Sequence, residues 1–217
     1  MKKIIFITSL LFNVLFLFVV YTFFQIVKEL PVGVNDQYNV LSDRSAEIVF
    51  VGDSITFGGN WHEWFPYTNA VNRGIGGDTT QMVLDRFHQV TSLKPKKLFL
   101  MIGVNDLNSR LGADHAIANY KILFDLIDKE LPETKVYVQS VLPVNDDWLL
   151  ADNTDIPKLN DALKDHAETR GYQYIDLHSQ FSDSEGMLKK DLTNDGIHLM
   201  GKGYSLWHDN INEYVYE

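Results

Sequence analysis

The chain has 217 residues, 45% of them hydrophobic, enough for one domain with a full core and a segment besides. It contains no cysteine, which excludes disulfides and thiolate metal sites. A formal net charge of −10, with no basic patch, argues against nucleic acid as a partner.

The extra segment is the N-terminus. Lys2 and Lys3 precede a run, Ile4 to Val27, that carries no charge and is mostly Ile, Leu, Val and Phe. As a helix it would be about 36 Å long, enough to cross a bilayer with some tilt. A cleavable signal would have a shorter apolar core and small residues at its end. Here the run closes on Tyr21, Phe23, Phe24 and Ile26. Residues 1–28 are therefore expected to be an uncleaved, single-pass membrane anchor. The two lysines place its N-terminus in the cytoplasm and the rest of the chain outside, and cleavage would instead release a secreted protein. Residues 29–44, with Pro31, Gly33, Asn35 and Asp36, read as a stalk, and 45–217 as the main domain. That domain is acidic, so the helix rather than charge must hold it at a membrane.

Beyond the stalk, strands and helices alternate. Glu47 to Val51 is a short β-branched run that stops at Gly52-Asp53-Ser54. Trp61 to Phe65 reads as a short helix closed by Pro66, and Ala70 to Asn72 as a second strand leading into Gly74-Ile75-Gly76-Gly77-Asp78. Thr79 to Val90 is expected to be one helix with Val83, Phe87 and Val90 on its inner face. Lys97 to Ile102 is apolar throughout, as a strand covered on both faces should be. Ala113 to Leu131 is the longest helix of the domain, and Lys135 to Leu142 a fourth strand. A helix starts near Asp155-Ile156-Pro157 and ends at Gly171, Tyr174 to Leu177 is a fifth strand, and Gly203 to Val215 a final helix. This alternation predicts a three-layer α/β/α domain with a parallel sheet. In such a sheet Ser54, Gly77 and Asn105 each follow a strand, so all three face one crevice.

A serine at that edge is either a nucleophile or a helix N-cap. As a nucleophile it needs a base, an orienter for the base and donors for the developing oxyanion. Of the seven histidines, His62 and His88 fall in helical segments, and His115, His166 and His208 in helices with charged neighbours. His178 follows the fifth strand and is the one rival to His198. His198 lies in the irregular polar stretch Asp191 to Leu199, with Asp195 three residues before it. An aspartate there would fix the imidazole tautomer, although Asp195-Gly196 equally suits a surface turn. Gly77 can offer an unobstructed N–H, Asn105 its side-chain amide and Ser54 its own N–H. Asp78 reads as the cap of the Thr79 helix, and Asp53 and Asp106 as loop braces.

Four blocks, Gly52-Asp53-Ser54-Ile55, Gly76-Gly77-Asp78, Gly103-Val104-Asn105-Asp106 and Asp195-Gly196-Ile197-His198, resemble those of the SGNH (GDSL-type) hydrolases in order and spacing. The stretch Asn72 to Thr80 is similar to the platelet-activating-factor acetylhydrolase branch. The resemblance covers roughly Glu47 to Tyr204. It implies a flavodoxin-like sheet, Ser54 as nucleophile, His198 as base, Asp195 as its orienter, and Ser54, Gly77 and Asn105 as oxyanion donors. It also implies a serine esterase acting on small acyl esters, acetyl above all, of carbohydrate or lipid, with no cofactor. The same residues would serve an O-acyltransferase acting on cell-surface glycans. A catalytically inactive binding module is the reading from another class, but no signature position is missing. Trp61, Trp64, Phe65 and Tyr67 could wall an acyl pocket, although aromatics in such a place are more often core, and Trp148, in the long loop Pro143 to Asn153, could overhang the crevice. The aspartates show no loop spacing of a metal site.

Overall fold

A computed structural model describes residues 2–145 and 153–217. The chain divides into two compact units, Met1–Asn39 and Val40–Glu217. The first is one helix, α1 (Lys2–Val40), which contains Pro31 and continues through most of the stretch expected as a stalk. From Phe12 to Val40 it is long and apolar enough to cross a membrane, by length and composition. Its phenylalanines, leucines and valines at 12 and 14–19 are all exposed.

The second unit begins after a 3₁₀ turn at Leu41–Asp43. In chain order it contains β1 (Ile48–Gly52), α2 (Ser54–Phe57), α3 (Trp61–Trp64), β2 (Ala70–Gly74), α4 (Thr80–Asp85) and α5 (His88–Thr91). There follow β3 (Lys97–Met101), α6 (Val104–Asn108), α7 (Ala113–Glu130), β4 (Lys135–Gln139), α8 (Asp155–Thr169), β5 (Gln173–Ile175), α9 (His178–Phe181) and α10 (Gly201–Tyr216). The five strands form one sheet in the order β2-β1-β3-β4-β5, and every pair is parallel. This is the flavodoxin-like arrangement that the family resemblance implies, and the order changes direction between β1 and β3.

Parallel strands with helices on both faces must be apolar on both sides, and all five residues of β1 are buried. The register aligns Phe50 with Phe99 and Phe99 with Tyr137, and their rings stack at 4.9 and 4.5 Å. Trp61 of α3 stacks on Phe50 at 4.2 Å, and Trp207 of α10 meets Trp61 edge-on at 4.8 Å. Side chains alternate along each strand, so the valines and leucines between these rings face the opposite layer, where α4, α7 and α8 pack together.

The helix expected over Thr79 to Val90 is broken at Arg86-Phe87 into α4 and α5. There the bonds tighten to i→i+3, with Phe87 N donating to Leu84 O and Gln89 N to Arg86 O. The break lets Val83, Phe87 and Val90 remain buried while Arg86 turns beneath the ends of β1 and β2. The fourth strand stops at Gln139 rather than Leu142, and α6 and α9 are single turns with too little periodicity to be read in advance.

Candidate active site

β1 ends at Gly52, where a methyl group would lie 2.2 Å from Thr56 Oγ1 and 2.3 Å from Met101 O. Only glycine lets the chain turn this sharply into α2. Asp53 is the N-cap, its carboxylate accepting the Ile55 N–H at 2.9 Å, so Ser54 does not cap the helix. Ser54 stands at the first helical position with its hydroxyl directed elsewhere. Its Oγ lies 2.9 Å from Nε2 of His198.

His198 is carried by the loop that precedes α10. Asp195 holds it twice, with one carboxylate oxygen accepting the His198 N–H at 2.8 Å and the other 2.6 Å from Nδ1. The first oxygen also accepts the Ile197 N–H at 3.1 Å. Burial raises the Asp195 carboxyl, but the hydrogen bonds from the His198 side chain and from two backbone N–H groups outweigh it. The net shift is downward, so Asp195 is ionised at neutral pH and can only accept. Nδ1 must therefore carry the hydrogen. In the neutral ring this leaves Nε2 as the acceptor facing the Ser54 hydroxyl.

Gly76 and Gly77 follow β2 and bend beside the serine. A methyl group on Gly76 would lie 4.0 Å from Ser54 Cβ. Gly77 has φ +82°, a conformation that favours glycine, and its Cβ direction is open. Among the described residues neither the Ser54 N–H nor the Gly77 N–H has a protein acceptor. Asn105 opens α6 beyond β3, and its Nδ2 donates to Asp78 O at 2.9 Å. An amide nitrogen has two hydrogens, so one remains for a ligand. Among the described residues the Ser54 N–H, the Gly77 N–H and one hydrogen of the Asn105 amide are thus open donors, on the segments that follow β1, β2 and β3.

A buried frame supports these loops. Asp53 is 1% exposed, and burial pushes its carboxyl up to about 7 against the pull of the Ile55 N–H and His198. Asp106 is fully buried and accepts from the N–H and the hydroxyl of Thr80 at 2.9 and 2.5 Å, tying the loop after β3 to the start of α4. Burial raises its carboxyl above the usual range, opposed by those hydrogen bonds. Asp78 does not cap α4; Thr79 does, through Met82 N. The Asp78 carboxylate is drawn instead to Arg86 Nε at 2.7 Å.

Sequence reading overlooked Arg86 and two further residues. Asn72 holds the end of α2 through its amide nitrogen, whose two hydrogens are shared among the carbonyls of Thr56, Phe57 and Gly59, and Tyr204 donates to Ile55 O at 2.8 Å. The signal for Arg86 was a cation three residues after Val83, within the inward-facing stripe of its helix. Trp61, a candidate for the substrate wall, is a core residue: it is 1% exposed, stacks on Phe50 and donates Nε1 to Thr56 O. Trp64 packs over His208, which lies on α10. Trp148 lies outside the described residues. The His178 ring has its contact with Ser182, at 3.4 Å, and burial lowers its pKa. Among the described residues no cluster of histidine and carboxylate side chains could hold a metal ion.

The fold and these loops define an α/β protein whose ligand edge carries a serine paired with a histidine. A family model, the GDSL-like lipase/acylhydrolase family, matches residues 50–206. Platelet-activating factor acetylhydrolase IB subunit alpha2 of Rattus norvegicus is 30% identical over 172 residues, spanning 75% of this chain and 73% of its own. The chain therefore belongs to the GDSL-like lipase/acylhydrolase family and is an ester hydrolase. A solved structure described as a platelet activating factor from Streptococcus pneumonia superposes with a TM-score of 0.83 at 26% identity, over 91% of this chain and 98% of the other. A GDSL-like lipase from Bacteroides thetaiotaomicron shares the fold, with a TM-score of 0.74 at 24% identity, over 84% of this chain and 97% of its own.

Proposed function

We propose that the protein is a membrane-anchored serine esterase that removes small acyl groups, acetyl above all, from lipid or carbohydrate. The observation that carries this reading is the continuous line of contacts from Asp195 through His198 to Ser54, beside two unpaired backbone N–H groups. Ser54 attacks the ester carbonyl while His198 Nε2 takes its proton. The carbonyl oxygen, now negative, is held by the N–H groups of Ser54 and Gly77 and by the Asn105 amide. Collapse of this intermediate expels the alcohol, which receives the proton from His198, and leaves an acyl group on Ser54. Water, deprotonated by the same imidazole, then attacks the acyl-enzyme and releases the acid. Asp195 remains ionised and stabilises the imidazolium in both halves.

The preference for acetyl rests on likeness to proteins named platelet-activating factor acetylhydrolase. Residues 1–28 serve as the anchor, 29–44 as a stalk and 45–217 as the extracytoplasmic hydrolase domain. This division rests on the apolar length of α1 and on Lys2 and Lys3.

Full-length protein in detergent should be offered p-nitrophenyl esters of rising acyl length beside acetylated glycans. Hydrolysis should be fastest for acetyl and fall as the chain lengthens. A maximum at long acyl chains would overturn the small-acyl assignment. For the anchor, the protein should stay in the membrane fraction after a carbonate wash. A mature form starting near residue 28 in the soluble fraction would show cleavage instead.

A further inference from the structure

We propose that Arg86 is a positioning residue for ester hydrolysis: its buried guanidinium fixes the spacing between the Ser54 and Gly77 N–H groups. The inference rests on the roles assigned above to Ser54, Gly77 and Asn105. Arg86 lies where the chain breaks between α4 and α5, and it is 5% exposed. Its Nε donates to the Asp78 carboxylate at 2.7 Å, and its Nη2 to Arg73 O at 2.8 Å and Gly52 O at 3.3 Å.

Those acceptors belong to the end of β1, the end of β2 and the loop after β2. Gly52 precedes Ser54 by two residues, and Asp78 directly follows Gly77. The register between β1 and β2 ends at Gly52 and Gly74, so beyond that pair the sheet ladder no longer sets the distance between the two loops. One contact, Ile75 N to Gly52 O at 3.1 Å, continues it. Asn72 ties β2 to the far end of α2, and the guanidinium ties Gly52, ahead of Ser54, to Asp78, after Gly77. Asn105 is tied in as well, because its amide donates to Asp78 O. Any shift of Asp78 thus moves two of the three donors relative to the third.

An arginine suits this task for a geometric reason. Its planar fork reaches a carboxylate and two carbonyls at once, whereas a lysine ammonium is a point charge on a flexible stem. Stability alone accounts poorly for it, since a buried ion pair can often be replaced by apolar residues without loss. Oxyanion donors act over a narrow distance range, and a misplacement of about 1 Å can cost roughly 10²-fold in rate.

The test compares Arg86→Lys, and Arg86→Met combined with Asp78→Asn, with wild type, all as full-length protein in detergent. The second variant leaves no uncompensated buried charge, so it keeps the test open where the first fails to fold. Hydrolysis of p-nitrophenyl acetate is measured per active site, counted by the end-point of fluorophosphonate labelling. The expected result is a kcat lowered about 10- to 100-fold per active site, with KM changed less than about threefold. Adding Asn105→Ala to Arg86→Lys should cost less than the product of the two single effects, because both act on one donor set.

A folded variant with wild-type kcat would overturn the inference. So would a loss confined to the number of labelled sites, or failure of both variants to fold, since Arg86 would then serve the fold alone. Ser54→Ala in the same assay separates the two levels. If it retains activity, the assignment of the serine fails. If it is inactive while both Arg86 variants match wild type, only the role of Arg86 fails.

Discussion

Nε2 of His198 lies 2.9 Å from Oγ of Ser54, although 144 residues separate them along the chain. Nothing local brings the two together. β1 delivers the serine to the ligand edge, and the loop before α10 delivers the histidine. Ser54→Ala should therefore lower kcat by on the order of 10⁴ or more, as expected for the loss of a nucleophile. Adding His198→Ala should lose hardly more, since the two act as one unit. Because Asp53 is the helix cap, the alanine variant should melt close to wild type. A fluorophosphonate bound to another serine would refute the assignment.

Asn105→Ala should keep KM within a few-fold but lower kcat by about 10²–10³, the usual cost of losing one oxyanion donor. The amide matters most once charge sits on the substrate oxygen. Steady-state kinetics with p-nitrophenyl acetate would check this, and an unchanged kcat would leave Asn105 only its bond to Asp78.

Asp53 makes a prediction about stability and pH. Its carboxyl rises from 3.8 to about 7 on folding, chiefly because burial disfavours the charged form. The folded chain thus holds this proton more tightly than the unfolded chain. Its contribution is most favourable below about pH 4 and is lost progressively as pH rises to about 7. At about 1.4 kcal/mol per pH unit, the loss is on the order of 4 kcal/mol. Asp53→Asn mimics the protonated form and can still accept the Ile55 N–H. Urea unfolding from pH 4 to 8 should show the variant gaining on wild type as pH rises. Parallel curves would mean that Asp53 is ionised without penalty.

Lys97 lies at the opposite edge of the sheet, where its Nζ donates to the carbonyls of Tyr214, Val215 and Glu217 at the end of α10. These are acceptors that a helix C-terminus leaves open, and they hold the Lys97 ammonium although burial lowers its pKa on balance. Lys97→Met should cost about 2 kcal/mol and lower Tm by roughly 4–8 °C, with kcat/KM unchanged at room temperature. A Tm within about one degree of wild type would show that water satisfies these carbonyls equally well.

What could be read from the sequence follows from distance along the chain. Gly52-Asp53-Ser54 and Asp195-Gly196-Ile197-His198 each complete their geometry within a few residues, so the turn after β1 and the Asp195–His198 pairing were legible, although the cap of α2 falls to Asp53 and not to Ser54. The alternation of apolar runs gave the layers, and the parallel sheet then placed Ser54, Gly77 and Asn105 together. Arg86 was hidden because its acceptors at Gly52, Arg73 and Asp78 are backbone and loop groups that only the folded sheet assembles. Asp78 was misread for the same reason, as Thr79 beside it offers a cap of equal local quality. Trp61 was ambiguous because an aromatic residue after a nucleophile packs a core and walls a crevice with the same side chain.

The strand order also bears on how the enzyme comes into being. β2 joins one side of β1, β3 takes the other side, and β4 and β5 add outward in turn. Each strand emerging during synthesis therefore meets a free edge, and none has to part a pair already formed. The loop that carries His198 comes after the last of these additions. A nascent or prematurely terminated chain would present Ser54 without His198, so any activity that needs the pair reports that the whole domain has been built.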